Sequence, residues 1–143
     1  MTQPTPPTSI SPDQRDQLIA AACQVRDRAY VPYSRFRVGA ALLSDDGRLF
    51  TGVNVENASY GLTVCAERNA IGRMVTDGAQ CIVAVAVCTD NGVTPCGACR
   101  QVLSEFVPPD TDAPVWIIDG QGNVRETSVL ALIPDHFGPQ HLT

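Results

Sequence analysis

The order of local signals along the chain predicts an α/β or α+β sandwich, with helices packed on a sheet. Three observations carry this expectation. Segments with apolar residues at helical spacing alternate with short apolar runs. Two of those runs flank Asp45-Asp46-Gly47, which marks a hairpin. The stretch 81–89 (CIVAVAVCT) is continuously apolar and rich in valine, as suits a strand covered on both faces.

Each element follows in turn. Ser11, Pro12 and Gln14 make a helix start: the hydroxyl caps, proline suits the first turn, and glutamine reaches back to the cap. Leu18, Ala22, Val25 and Ala29 then fall at helical spacing, so a helix is expected from about 12 to 30. Val31-Pro32 ends it, because proline cannot continue the ladder. Val38 to Leu43 and Leu49 to Val55 form the hairpin. A helix is expected over 65–77, with Ala70, Ile71 and Met74 toward one side, followed by the strand at 81–89. Gly97 to Phe106 reads as a short helix, Val115 to Asp119 as a strand, and Val124 to Thr127 as a strand after a turn. Val129 to Ile133 is expected to form a helical turn.

With 143 residues the chain fits one domain. Residues 1–10 (MTQPTPPTSI) are rich in proline and threonine and are expected to be a flexible tail, leaving 11–143 as the domain. The formal charge is −5, and all ten basic residues are arginine, which argues against nucleic acid or an anionic membrane as the partner. Met1 to Gln14 has no basic residue and no apolar run, so no secretory signal is expected there. The resulting expectation is a cytoplasmic protein, in which six cysteines are ligands, catalysts or core residues rather than three disulfides.

Cys65, Cys96 and Cys99 stand apart from the other three. Pro95-Cys96-Gly97-Ala98-Cys99 is a C-x-x-C at an expected strand-to-helix junction. By itself it fits a metal site or a redox dithiol. Cys65 opens the other expected helix and is followed two residues later by Glu67. Thiols at helix starts are stabilised as thiolates by exposed amides, which is the form zinc requires. Three protein ligands leave the fourth tetrahedral position free, the catalytic rather than structural pattern. A cluster of thiolates needs a nearby positive charge, and Arg68 and Arg100 directly follow Glu67 and Cys99. On a helix, positions i and i+2 diverge, so Glu67 is not expected to ligate beside Cys65; it can instead move protons for a metal-activated water. Three cysteines with a non-ligand glutamate and a P-C-x-x-C segment is the arrangement of zinc deaminases. Cys23, Cys81 and Cys88 fit no ligand pattern and are expected in the core.

At these residues the chain resembles the cytidine deaminases, specifically the small homotetrameric class with three cysteine ligands. The likeness runs from about Ser11 to Pro139 and includes Tyr33-Ser34-Arg35-Phe36, Val38 to Leu42, Gly52 to Ala58, Cys65-Ala66-Glu67-Arg68, Pro95 to Leu103, and Phe137-Gly138-Pro139. Arg37 departs from it, standing where relatives often carry proline or another small or polar residue. The resemblance implies a three-layer α/β/α fold around a five-stranded mixed sheet, and hydrolysis of cytidine and 2′-deoxycytidine to the uridines and ammonia. It implies one Zn²⁺ per chain on Cys65, Cys96 and Cys99, with Glu67 as proton shuttle and Arg68 bonded to the thiolates. It further implies Asn54 and Glu56 at the ribose 3′-hydroxyl, Phe36 against the base, and the Ala66 and Thr94 backbone at the pyrimidine edge and amino group. Tyr60 and Phe137 would be offered to a neighbouring subunit's site. Two other expectations stand beside this one: a zinc deaminase of another aminopyrimidine such as blasticidin S, and a dithiol oxidoreductase using Cys96 and Cys99.

Overall fold

A computed structural model describes residues 9–142. Residues 1–8 of the expected tail, and Thr143, lie outside the described residues. The elements run α1 (Pro12–Val25), β1 (Gly39–Ser44), β2 (Leu49–Val53), α2 (Ala66–Thr76), β3 (Ile82–Cys88), α3 (Gly97–Phe106), β4 (Pro114–Ile118) and β5 (Val124–Ser128). Short 3₁₀ turns occupy Arg26–Arg28, Tyr60–Leu62 and Pro139–His141.

The capping box at α1 forms as its residues predict: Gln14 N donates to Ser11 Oγ at 3.1 Å, and Ser11 N donates to Gln14 Oε1 at 3.0 Å. The helix is shorter than expected. Its last turn tightens at Arg26–Arg28, and the chain turns outward so that Tyr30 N can donate to Asn54 O (3.0 Å) and Glu56 N to Tyr30 O (2.9 Å). A tertiary pairing thus overrides helical spacing. Residues 129–133 form the expected turn, closed by Leu132 N to Ser128 O and Ile133 N to Leu130 O, without extending into a helix.

The strands form one sheet in the order β2-β1-β3-β4-β5. The β3–β4 pair is parallel and the other pairs are antiparallel, so the sheet is mixed. Gly47, with φ of +86°, closes the β1–β2 hairpin in a conformation that favours glycine. Alternation along the strands sends two sets of side chains to opposite faces. Ala41, Leu43, Ala84, Ala86, Cys88, Trp116 and Ile118 pack with Leu18 and Ala22 of α1. Leu42, Val85, Val87, Val115 and Ile117 pack with Ala70, Ile71 and Met74 of α2 and Leu103 of α3. The result is a three-layer sandwich, α1 on one face and α2 with α3 on the other. Ile10 packs partly buried against the α1 face.

Of the three cysteines expected in the core, Cys88 is buried, while Cys23 and Cys81 are only half-buried. Burial, helped by the neighbouring Cys88, pushes the Cys23 thiol up to about 12, which leaves it protonated and unreactive.

One close approach fixes the start of α2. A Cβ on Gly52 would overlap Ala66 O and Ala70 N, so only a glycine lets β2 lie this near the helix. Gly52→Ala is expected to push α2 outward, costing about 1–3 kcal/mol as other overpacked cores do. Urea denaturation should show the loss, and metal analysis should show weaker zinc retention, because Cys65 caps this helix.

Candidate active site and metal centre

Two helix starts meet beside the end of β3. Cys65 is the N-cap residue of α2, Cys96 is the N-cap residue of α3, and Cys99 sits in the first turn of α3. The segment before α2 is pinned by paired bonds between Val55 and Val64, each 3.0 Å, which set Cys65 against the end of β2. Asn69 Nδ2 adds a 2.8 Å bond to Val53 O. These constraints bring three thiols from separate parts of the chain together, with all three Sγ atoms within 4.8 Å of one another. Among the described residues no other group of three metal-ligating side chains converges.

The sulfur geometry fits zinc. A tetrahedral ion with Zn–S bonds of about 2.3 Å separates its sulfurs by about 3.8 Å. Cys65 Sγ and Cys96 Sγ are 3.8 Å apart. Cys65 is pulled down to about 5, first by a hydrogen bond from Cys99 and then by Arg68 and Cys96, against the opposing effect of burial. Cys99, the donor in that bond, is pushed up.

Arg68 and Arg100, equal candidates by adjacency, take different roles. Arg68 Nη2 donates to Cys65 Sγ at 3.3 Å, and the thiols in turn raise its pKa. Its Nε is buried with no partner among the described residues, so the guanidinium faces the thiols with donor capacity to spare. Arg100 does not reach the sulfurs. It donates to Pro95 O (2.7 Å), Thr94 Oγ1 (2.7 Å) and Leu132 O (2.9 Å), stapling the loop before Cys96 to the chain after β5. Sequence adjacency alone could not separate these two.

A cavity of about 220 Å³ opens beside the thiols. Phe36, Asn54, Cys65, Ala66, Glu67, Thr94 and Cys96 all line it, joined by Val38, Thr63, Val87, Thr89, Val93 and Pro95. Val38 and Pro95 lie in motifs already named, whereas Thr63, Val87, Thr89 and Val93 carry no motif that assigns them to a site. Thr89 is the informative one: its hydroxyl accepts from Gly92 N (2.8 Å) and Val93 N (3.2 Å), shaping the loop that leads to Thr94. Glu67 is 4% exposed. Burial raises its pKa, opposed by hydrogen bonds from its own amide and from Cys99, which is the setting of a carboxylate that can take and return a proton. Ala66 opens α2, where amide N–H groups lack helical acceptors and can meet a ligand.

Glu56, Tyr60 and Phe137 do not line this cavity. Glu56 and Tyr60 line an adjoining one with Tyr33, Ser34 and Thr63, and Thr63 belongs to both. Tyr60 is exposed, its ring 5.8 Å from that of Tyr33. Phe137 is exposed, stacks on His141 at 5.3 Å, and is held through its carbonyl by Gln101 Nε2 at 2.8 Å. A larger cavity, about 420 Å³, lies between the end of α3 and residues 136–140. None of the three thiols nor Glu67 lines it, so it is not the chemical site.

Comparison with known proteins agrees with this geometry. The family described as the cytidine and deoxycytidylate deaminase zinc-binding region matches residues 12–111. The cytidine deaminase of Halalkalibacterium halodurans is 51% identical over 125 residues, covering 86% of this chain and 93% of its own. That of Sporosarcina psychrophila is 45% identical over 130 residues, covering 90% and 94%. The crystal structure of cytidine deaminase from Burkholderia pseudomallei is 47% identical, with a TM-score of 0.80, covering 85% of this chain and 98% of that one.

Fold and site together define a class: an α/β/α zinc enzyme with a three-cysteine centre beside a buried carboxylate. Within that class, the chain belongs to the cytidine and deoxycytidylate deaminase family.

Proposed function

We propose that the protein deaminates cytidine and 2′-deoxycytidine hydrolytically, releasing ammonia and the uridines, as a step of pyrimidine salvage. The observation that carries this reading is the union in one small cavity of the thiol cluster, buried Glu67, the open amides of α2 and the aromatic Phe36.

Cys65, Cys96 and Cys99 hold one Zn²⁺ per chain, and Arg68 tempers their negative charge. When bound, zinc supplies a Lewis acid that makes water nucleophilic near neutral pH. Phe36 stacks on the pyrimidine, while the Ala66 amide and Thr94 carbonyl read its edge. Glu67 takes a proton from the water attacking C4 and delivers it to N3. It then takes the proton of the new C4 hydroxyl and passes it to the departing amino group as the C4–O double bond forms and the C4–N bond breaks, which releases ammonia. Asn54 and Glu56 receive the ribose 3′-hydroxyl. One amide and one carboxylate supply both a donor and an acceptor for it.

The domain in this reading is 11–143, working in the cytoplasm as a homotetramer. The exposed positions of Tyr60 and Phe137, outside the cavity of their own chain, suit contributions to a neighbour's site. The partner is a free nucleoside, neither nucleic acid nor membrane. The charge of −5 supports this, and no helix among the described residues is long and apolar enough to cross a membrane.

An ultraviolet assay of cytidine loss tests the reading. Turnover of cytidine and deoxycytidine with stoichiometric ammonia is expected. Ammonia release from blasticidin S but not from cytidine would overturn the substrate assignment.

A further inference from the structure

The loop carrying Phe36 is tied to Glu56 through Ser34, a residue with no site role in the family resemblance. Glu56 Oε1 accepts from Tyr33 N at 3.0 Å and from Ser34 N at 3.1 Å, and Oε2 accepts from the Ser34 hydroxyl. That same hydroxyl oxygen accepts from Phe36 N at 3.0 Å. A serine hydroxyl has one proton and two lone pairs, so both bonds form at once. From the other side, Asn54 Nδ2 donates to Phe36 O at 2.8 Å, and Asn54 Oδ1 accepts from Val38 N at 3.0 Å. The backbone of Phe36 is therefore gripped at its N–H through Ser34 and at its carbonyl through Asn54.

The grip is needed locally. Arg35, between Ser34 and Phe36, has φ of +60°, a left-handed conformation that residues with a side chain seldom adopt. Ser34 also holds the carboxylate in its charged form: its hydroxyl is the first cause of a Glu56 pKa below the ordinary value, with the two backbone amides adding to it. Glu56 and Ser34 line the adjoining cavity and Phe36 lines the thiol cavity, with Thr63 shared, so the hydroxyl bridges the two halves a nucleoside would span.

We propose that Ser34 is a positioning residue that couples sugar-hydroxyl recognition at Glu56 to placement of the Phe36 ring under the base. It rests on the deaminase reading above. Without the hydroxyl, Glu56 loses its side-chain donor and Phe36 N loses its acceptor. The Arg35 turn then relaxes, and both contacts drift together.

The test compares Ser34→Ala and Ser34→Thr with the natural enzyme on cytidine and on 3′-deoxycytidine, which lacks the hydroxyl in question. The natural enzyme is expected to favour cytidine strongly, as sites built for a hydroxyl do. Ser34→Ala should cut that preference in kcat/KM about tenfold, mainly by raising KM for cytidine. Ser34→Thr, which keeps the hydroxyl, should restore the preference. Ser34 is exposed, so Ser34→Ala should fold normally, and a thermal melt of each variant confirms it. An alanine variant that keeps the natural preference, or that slows equally on both substrates, overturns the coupling. A natural enzyme inactive on cytidine overturns the parent reading instead.

Discussion

Replacing Glu67 by Gln removes nearly all turnover while leaving the metal centre and the fold intact. The amide has the size of the carboxyl and can still accept a hydrogen bond, but it cannot take a proton. Loss of a positioned acid–base group costs about 10²–10⁴-fold in rate, and in the proposed mechanism the same group serves more than one transfer. KM for cytidine should change little, because Phe36, Asn54 and Ala66 line the cavity independently of Glu67. Zinc content should stay at about one per chain, since the three thiols alone form the ligand cluster. Stability should hold or rise. Glu67 is 4% exposed and burial disfavours its charge, so a neutral side chain of the same shape relieves a cost. Stopped assays of uridine formation, metal analysis and a thermal melt decide the matter together. A Gln variant within tenfold of the natural rate would remove Glu67 from its assigned role.

Stripping zinc has the second large effect, and it reaches both activity and stability. Three thiols gathered within 4.8 Å are a poor arrangement without an ion: Cys99 is buried, and Cys65 is already drawn toward its charged form. A ligand that binds only the folded state stabilises it by about 4 kcal/mol when present at a thousand times its dissociation constant. Dialysis against a strong chelator should therefore abolish cytidine turnover and lower the unfolding temperature, and added zinc should restore both. Cys99→Ala should reproduce the chelated state without chelator and resist rescue. A chelated sample that holds no zinc but deaminates at the natural rate would refute the metal centre.

Much of the fold could be read locally. The hairpin turn at Asp45-Asp46-Gly47, the buried strand β3 and the span of α3 all match the structure, because each depends on neighbours a few residues away. The capping box of Ser11 and Gln14 does so for the same reason. Where expectation failed, a distant partner intervened. The first helix stops at Val25 with a tighter turn after it, since Tyr30 pairs with the 54–56 segment. The turn at 129–133 forms as expected, and Ala113 O, which accepts from Val129 N, and Arg100, which holds Leu132 O, anchor it to the rest of the fold.

The candidate site divides in the same way. Residue type and short spacing determined that Cys96 and Cys99 share one helical turn and that Cys65 and Glu67 open another. Tertiary structure alone decided that Cys65 lies 3.8 Å from a sulfur 31 residues away. Arg68 meets the thiols as the family resemblance implies, while the tertiary structure decided that Arg100 turns instead to the loop before Cys96 and that Ser34 joins Glu56 to Phe36. The physical reason is one of range. Caps, turns and i,i+3 neighbours are set by backbone geometry within a few residues. Contacts across the sheet depend on closing long loops and on packing both faces of the sheet at once, and no local pattern records that outcome.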